Sequence, residues 1–214
     1  MAVEAVIWDF GGVLTSSPFE AFNRFEADKG LPRDLIRRVN ATNPDDNAWA
    51  LFERAEIDVA GFDQKFLEES TALGHPVPGR EVLPLLSGSL RPRMVAALKA
   101  CKAQFKVGCI TNNVKTGQGA GMSTNTAKAA AVEAIMETFD AVIESSKAGL
   151  RKPDPRIYQM MCELLQVEPA NCVYLDDLGI NCKPASVLGM KAIKVVGEQQ
   201  ALDDLAAATG LVFA

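Results

Sequence analysis

Acidic residues at the ends of short apolar runs carry the chemistry this chain can offer. Ala5-Val6-Ile7-Trp8 is such a run, and it ends at Asp9-Phe10-Gly11-Gly12-Val13-Leu14-Thr15. A carboxylate at the C-terminal end of a buried strand, followed by glycines that let backbone approach a ligand, stands where open α/β sheets place their sites. Tyr174-Leu175-Asp176-Asp177-Leu178-Gly179-Ile180-Asn181 repeats the pattern with two adjacent carboxylates. Such a pair repels itself unless a cation neutralises it, and Mg²⁺ suits oxygen ligands while keeping several of its waters. A solvated capping pair is the plainer alternative.

Two further clusters are neutral or basic. Thr111-Asn112-Asn113 offers a hydroxyl and amide N–H groups that can hold a phosphate oxygen, although the same residues are ordinary loop chemistry. In Arg151-Lys152-Pro153-Asp154-Pro155, Asp154 reads as a helix cap and Pro155 as the first helical residue. The Lys152 ammonium and the helix dipole then both favour an anion at that point. Lys147 reads as a solvated surface lysine. Thr116-Gly117-Gln118-Gly119-Ala120-Gly121-Met122 has Met where G-x-G-x-x-G needs Gly and lacks a Gly-Lys-Ser/Thr ending, so it reads as a flexible surface loop.

The elements that would position these clusters alternate. After the first strand comes a stretch, residues 16–87, with helical signals only. Ser17-Pro18 opens a segment with Phe19, Phe22 and Phe25 on one face. Asn43-Pro44 repeats the device before Ala48, Leu51, Phe52 and Ala55, and Asp58 is a helix cap before Val59, Phe62, Phe66 and Leu67. Prolines at 76, 78 and 84 mark the exit. Strands are then expected at 105–110, 139–143, 172–175 and 192–196, with helices at 92–103, 125–138, 154–166, 178–188 and 202–208. Strands spaced by helices predict an α/β fold with a parallel sheet covered on both faces, and all four polar clusters follow strand ends.

A chain of 214 residues can bury one substantial core and a small accessory domain. Its net charge of −5 gives no footprint for nucleic acid or an anionic membrane surface. Residues 3–8 are too short for a secretory signal and carry Glu4, and no apolar run approaches the roughly 20 residues of a membrane span. Cys101, Cys109, Cys162, Cys172 and Cys182 contain no C-x-x-C pair and read as reduced, buried residues of a cytoplasmic protein. A nucleophilic Cys would want a His partner, and the single His is His75.

In order and in strand-end context, the four clusters resemble the four motifs of the haloacid dehalogenase-like hydrolases. The likeness runs over nearly the whole chain. Ile110-Thr111-Asn112-Asn113, the run 145–158 with Gly149-Leu150-Arg151-Lys152-Pro153-Asp154-Pro155, and Leu175-Asp176-Asp177 with Asn181, Lys183 and Pro184 look like one branch in particular. That branch holds the N-terminal phosphatase domain of soluble epoxide hydrolase and similar domains fused to acyl-CoA dehydrogenases. The resemblance implies a three-layer, Rossmann-like core of residues 1–15 and 88–214, with residues 16–87 as a small helical cap inserted after the first strand.

It also implies a Mg²⁺-dependent phosphatase acting on a small phosphorylated metabolite. By resemblance Asp9 attacks phosphorus and becomes an aspartyl-phosphate. Mg²⁺ bridges Asp9, the phosphate, the backbone carbonyl of Gly11 and Asp176, with Asp177 arranging the outer shell. Thr111 and the amide of Asn112 bind the transferring phosphoryl, and Lys152 neutralises the charge shared by Asp9 and phosphate. One position departs from the phosphatase pattern. The residue two after the nucleophile is usually a second Asp that protonates the leaving oxygen, and here it is Gly11. Such general acid help is worth about 10²–10⁴ in rate, so Gly11 implies a slow or selective phosphatase rather than a dead one. Two alternatives remain at the level of sequence: a metal-independent dehalogenase, which needs no leaving-group acid, and a non-catalytic domain that binds a phosphorylated ligand or a protein partner. Phe19, Phe22, Trp49 and Phe52 of the insert either line a specificity pocket or form its core.

Overall fold

A computed structural model describes residues 2–114 and 126–213, so the loop read at 116–122 lies outside the described residues. Five strands form one sheet: β1 (Ala5–Trp8), β2 (Lys106–Thr111), β3 (Ala141–Glu144), β4 (Cys172–Asp176) and β5 (Lys191–Lys194). Every pairing is parallel and the spatial order is β3-β2-β1-β4-β5. The chain steps outward from β1 to β3 and then returns to lay β4 against the other side of β1. That reversal opens a crevice beyond the C-terminal ends of β1 and β4, the ligand position of open parallel sheets.

Side chains alternate across the strands, so each face has its own core. Val6, Trp8, Val107, Cys109, Val173 and Leu175 face α6 (Pro92–Lys102) and α11 (Glu198–Thr209). Ala5, Ile7, Ile110, Cys172 and Tyr174 face α9 (Pro155–Leu165) and α10 (Gly179–Val187). The fold is therefore the expected three-layer α/β architecture. All five cysteine thiols are free and buried. Among the described residues no helix is long and apolar enough to cross a membrane.

Between β1 and α6 the chain builds a helical insert: α1 (Pro18–Asp28), α2 (Leu35–Ala41), α3 (Ala48–Glu53), α4 (Val59–Ala72), α5 (Gly79–Val82) and a 3-10 turn at Leu83–Leu86. It has a separate apolar core in which Phe22, Trp49, Phe52, Phe62 and Phe66 are buried. Phe22, Trp49 and Phe52 thus serve packing, with Trp49 set edge-on to Phe62 at 4.7 Å between ring centroids. The entry and exit strands of the insert lie side by side. Thr15 and Leu90 form an antiparallel bridge, the Ser16 amide donates to the Ser89 carbonyl at 2.7 Å, and the Arg91 amide donates to Leu14 at 2.9 Å. A Cβ at Gly88 would stand 2.4 Å from the Ser16 carbonyl, so only glycine lets these strands approach so closely.

Several local expectations shift. Asn43-Pro44 does not open a helix: Asn43 sits in the left-handed region at φ 47°, and α3 starts at Ala48, capped by Asn47, whose side chain accepts from the Ala50 amide at 2.8 Å. Helix α2 carried no sequence signal, and Pro84 lies within the 3-10 turn instead of ending a helix. Strand β3 starts two residues later than read, because the Asp140 carboxylate turns back to accept from the Val107 amide at 2.8 Å. The caps at Asp58 and Asp154 form as read, on the amides of Gly61 and Arg156.

Candidate active site

Strand register brings the acidic residues together. Trp8 is level with Leu175 across the β1–β4 pairing, so the next residues, Asp9 and Asp176, emerge side by side. The Asp9 amide donates to the Leu175 carbonyl at 2.8 Å, which carries the alignment one residue past β1. On the other flank Trp8 is level with Cys109, and Thr111 closes β2 two residues further on. Asp9, Asp176 and Asp177 each present a carboxylate oxygen within 4.8 Å of the others.

Lys152 is fully enclosed at the centre. Its Nζ lies 2.7 Å from Asp9 Oδ1 and 2.8 Å from Asp176 Oδ2. A buried ammonium needs partners. Burial alone would pull the Lys152 pKa down, but the charges of Asp176 and Asp9 more than offset it and hold the group above the usual lysine range. The backbone of Lys152 is fixed as well. The Asn112 side chain donates to its carbonyl at 3.0 Å and accepts from its amide at 2.8 Å. Asn112 thus clamps the lysine-bearing loop, and what it can offer a ligand is its main-chain N–H. Asn113 continues the support, donating to Glu144 at 2.7 Å and accepting from Ser146 Oγ at 2.9 Å. Lys147 points to solvent and pairs with Glu144.

The two adjacent carboxylates differ in their partners. Asp176 Oδ1 accepts from the Leu178 amide (2.8 Å) and Asn181 Nδ2 (3.1 Å). Its Oδ2 accepts from Lys152 (2.8 Å), Tyr174 OH (2.5 Å) and again Asn181 (3.1 Å). Both oxygens are thereby saturated. Among the described residues Asp177 accepts one side-chain bond, from Ser17 Oγ at 3.1 Å. It also rests on Gly12, which is held at φ 77°, and a Cβ there would fall 2.1 Å from Asp177 Oδ2. Gly12 is therefore required twice, for its backbone and for the room it leaves. At Asp9, Oδ1 takes the Phe10 amide at 2.7 Å in addition to Lys152, which among the described residues leaves Oδ2 as the oxygen open to a ligand.

Three carboxylates facing one ammonium leave a formal charge of −2 in a buried space. Desolvation, followed by the opposing pull of Lys152 and the repulsion of Asp176 and Asp177, leaves the Asp9 carboxyl well above the usual carboxylate range. Burial and then Asp176 push Asp177 up to about 6. The cluster is short of positive charge, and a divalent cation is the group that would supply it.

Three site features went unread in the sequence. Ser17 was visible only as a helix start, yet its hydroxyl leaves the helix uncapped and turns to Asp177. Tyr174 stands at the head of the second acidic cluster with no role assigned to it, and its hydroxyl donates to Asp176. Arg151 looked like part of a motif, and it reaches out to the insert. A Ser-Pro pair two residues past a strand-end loop and a Tyr two before a strand-end Asp were the available signals.

Comparison with known proteins agrees with this geometry. The family model of haloacid dehalogenase-like hydrolases matches residues 3–186. Acyl-CoA dehydrogenase family member 10 of Mus musculus is 31% identical over 212 residues, covering 96% of this chain and 19% of the relative. Bifunctional epoxide hydrolase 2 of Mus musculus is 29% identical over 226 residues, covering 100% of this chain and 40% of the relative. The chain thus spans well under half the length of these two. Phosphatase MT3486 of Mycobacterium tuberculosis (strain CDC 1551 / Oshkosh) is 28% identical over 215 residues, covering 95% of this chain and 92% of the relative. Among solved structures, a family enzyme from Bacteroides thetaiotaomicron in complex with magnesium and inorganic phosphate shares the fold, with TM-score 0.59 and 18% identity over 92% of this chain and 96% of that one. Because the matched span runs through all four strand-end clusters, the chain belongs to the haloacid dehalogenase-like hydrolases.

Proposed function

We propose that this enzyme is a Mg²⁺-dependent phosphatase acting on a small phosphorylated metabolite through Asp9. The observation that carries the reading is the buried Asp9–Lys152–Asp176 chain with Asp177 beside it, a cluster two positive charges short of neutral. In this reading residues 1–15 and 88–214 form the catalytic core, and residues 16–87 are a cap over the crevice. Asp9, Asp177 and the Gly11 carbonyl would hold Mg²⁺; this exchanges the places the resemblance gave the two adjacent aspartates, because Asp176 is already committed to Lys152, Tyr174 and Asn181. The cation would neutralise charge on the phosphate and the nucleophile. The phosphatase relative and the family structure holding magnesium and phosphate point the same way.

The chain's own residues supply the rest. Asp9 Oδ1 is pinned by Lys152 and the Phe10 amide, so Oδ2 attacks phosphorus as the bond to the leaving oxygen breaks. Thr111 and the Asn112 main-chain N–H hold the phosphoryl oxygens, and Lys152 offsets their charge. Water then cleaves the aspartyl-phosphate, which releases inorganic phosphate and restores the carboxylate. Gly11 brings no acid, so the leaving group takes its proton from water.

The test is phosphate release from sugar, acyl and aryl phosphates, with and without Mg²⁺, by the wild-type enzyme and by Asp9→Asn. Mg²⁺-dependent turnover that disappears in a folded Asp9→Asn variant is the expected result. Full activity in the variant would end the covalent reading, and full activity in excess chelator would favour halide-type displacement.

A further inference from the structure

The cap touches the core at a point far along the chain from its hinge. The residue just before Lys152, Arg151, donates through Nε to Glu53 Oε2 at 2.7 Å, at the end of α3. A second guanidinium nitrogen donates to the Pro44 carbonyl at 3.0 Å, in the turn before α3. The Arg151 and Glu53 side chains are 22% and 15% exposed, so this is a partly desolvated pair and stronger than a surface one. Helix α3 also packs against α8 (Ser145–Ala148), in the same motif segment. At the other end of the cap the paired strands at Ser16–Ser89 and Leu14–Arg91 form a narrow two-stranded neck. The cap also meets the core where Ser17 bonds Asp177 and where Val114, three residues past β2, packs into the cap's apolar core, and a body tied at a neck and clipped at a distance can swing when the clip opens.

We propose that Arg151 is a latch: its bonds to Glu53 and to the Pro44 carbonyl hold the cap shut over the crevice, and their breaking gates substrate entry and product release. The surroundings of Arg151 keep the latch separate from the catalytic lysine beside it. Asn112 already fixes the backbone of Lys152 from the core side, so the neighbouring side chain can let go of the cap without moving the lysine. The gating role rests on the reading of residues 16–87 as a cap over a phosphatase site, whereas the latch itself can be tested without turnover.

The experiment is hydrogen–deuterium exchange on the full chain, following peptides that span 42–54 and 145–152, for wild type, Glu53→Gln, Glu53→Arg, Arg151→Glu and the swapped double variant. Glu53→Gln, Glu53→Arg and Arg151→Glu should each exchange about three- to tenfold faster in both segments, the shift in an open–closed equilibrium that one partly buried ion pair sets. The swap should return exchange close to wild type. Unchanged exchange in the single variants would overturn the latch. So would faster exchange spread through the sheet strands, which signals global loosening, or a double variant no slower than the faster single. With p-nitrophenyl phosphate the single variants should raise KM without lowering kcat. If the wild type turns over none of the sugar, acyl and aryl phosphates, the phosphatase reading falls while the exchange result still judges the latch.

Discussion

At Gly11 the backbone lies outside the left-handed region, and a Cβ would meet nothing within 4 Å, so an aspartate can be placed there without strain. Gly12 is the opposite case, since any side chain there collides with Asp177. The open position explains how the carboxyl common in the family can be missing while the loop stays intact. Without it, departure of the leaving group depends on its own stability as an anion. Aryl and acyl phosphates should therefore turn over much faster than phosphates of simple alcohols, with a steep dependence of log kcat/KM on leaving-group pKa. Gly11→Asp should flatten that dependence, raising the poorest leaving groups by up to about 10²-fold, the lower end of general acid help. An unchanged slope in the folded variant would mean that chemistry does not limit turnover or that another group already gives the proton. At this scale the sequence spoke clearly where residue type and strand end coincide, as at Asp9, Lys152, Asp176 and Asp177. It was silent on Ser17 and Tyr174, whose roles depend on which way a hydroxyl points once the strands are in register.

Among the elements, the sheet and the helices that cover it were readable because β1 to β4 are largely apolar runs closed by polar residues, whereas β5, with a lysine at each end, stops at Lys194, two residues short of the span read. Trp8 and Leu175 lead straight into Asp9 and Asp176, and a parallel, doubly covered sheet fixes their adjacency. Helix α2 was unreadable for a physical reason. Its own cap residue, Asp34, sits in the left-handed region at φ 62° and makes no side-chain cap. The cap comes instead from Glu26 on α1, which is 1% exposed and accepts from the amides of Asp34 (2.7 Å) and Ile36 (2.8 Å). Nothing in a local pattern marks a glutamate in one helix as the cap of the next. The structure makes the consequence measurable. Glu26→Ala removes two charge-assisted bonds and leaves one buried and one partly buried amide unpaired, a loss of about 2–3 kcal/mol in urea unfolding. Glu26→Gln keeps an acceptor and should cost less than half of that. Equal, small losses from both would show that water caps α2 as well as the carboxylate does.

For the molecule as a whole, the charge shortage in the crevice becomes a dependence of stability on pH. Asp9 and Asp177 hold their protons more tightly in the folded protein than in the unfolded chain, Asp9 well above the usual range and Asp177 to about 6, chiefly through burial. A carboxyl whose folded pKa is raised makes the folded state bind more protons, so stability falls as pH rises from the unfolded value of 3.8 through the folded values. The other shifted carboxyls work elsewhere. Asp63, Asp140, Asp154 and Glu56 are lowered by their partners, so their contribution is complete above the ordinary carboxylate range and is lost only in more acidic solution. Lys152 is raised, and its contribution disappears only above the usual lysine range. Between about pH 5 and 8 the crevice pair therefore dominates, and the metal-free protein should show a urea midpoint that falls across that interval. Mg²⁺ held by the same carboxylates would favour their ionised forms and stabilise the folded state by mass action, more strongly the higher the pH. Millimolar Mg²⁺ should thus flatten or reverse the slope, and Asp177→Asn should remove part of the slope together with part of the Mg²⁺ response. A metal-free midpoint that rises from pH 5 to 8, or a Mg²⁺ effect that is the same at both ends, would mean that the buried carboxylates are already neutralised by Lys152 and that the crevice has no need of a second cation.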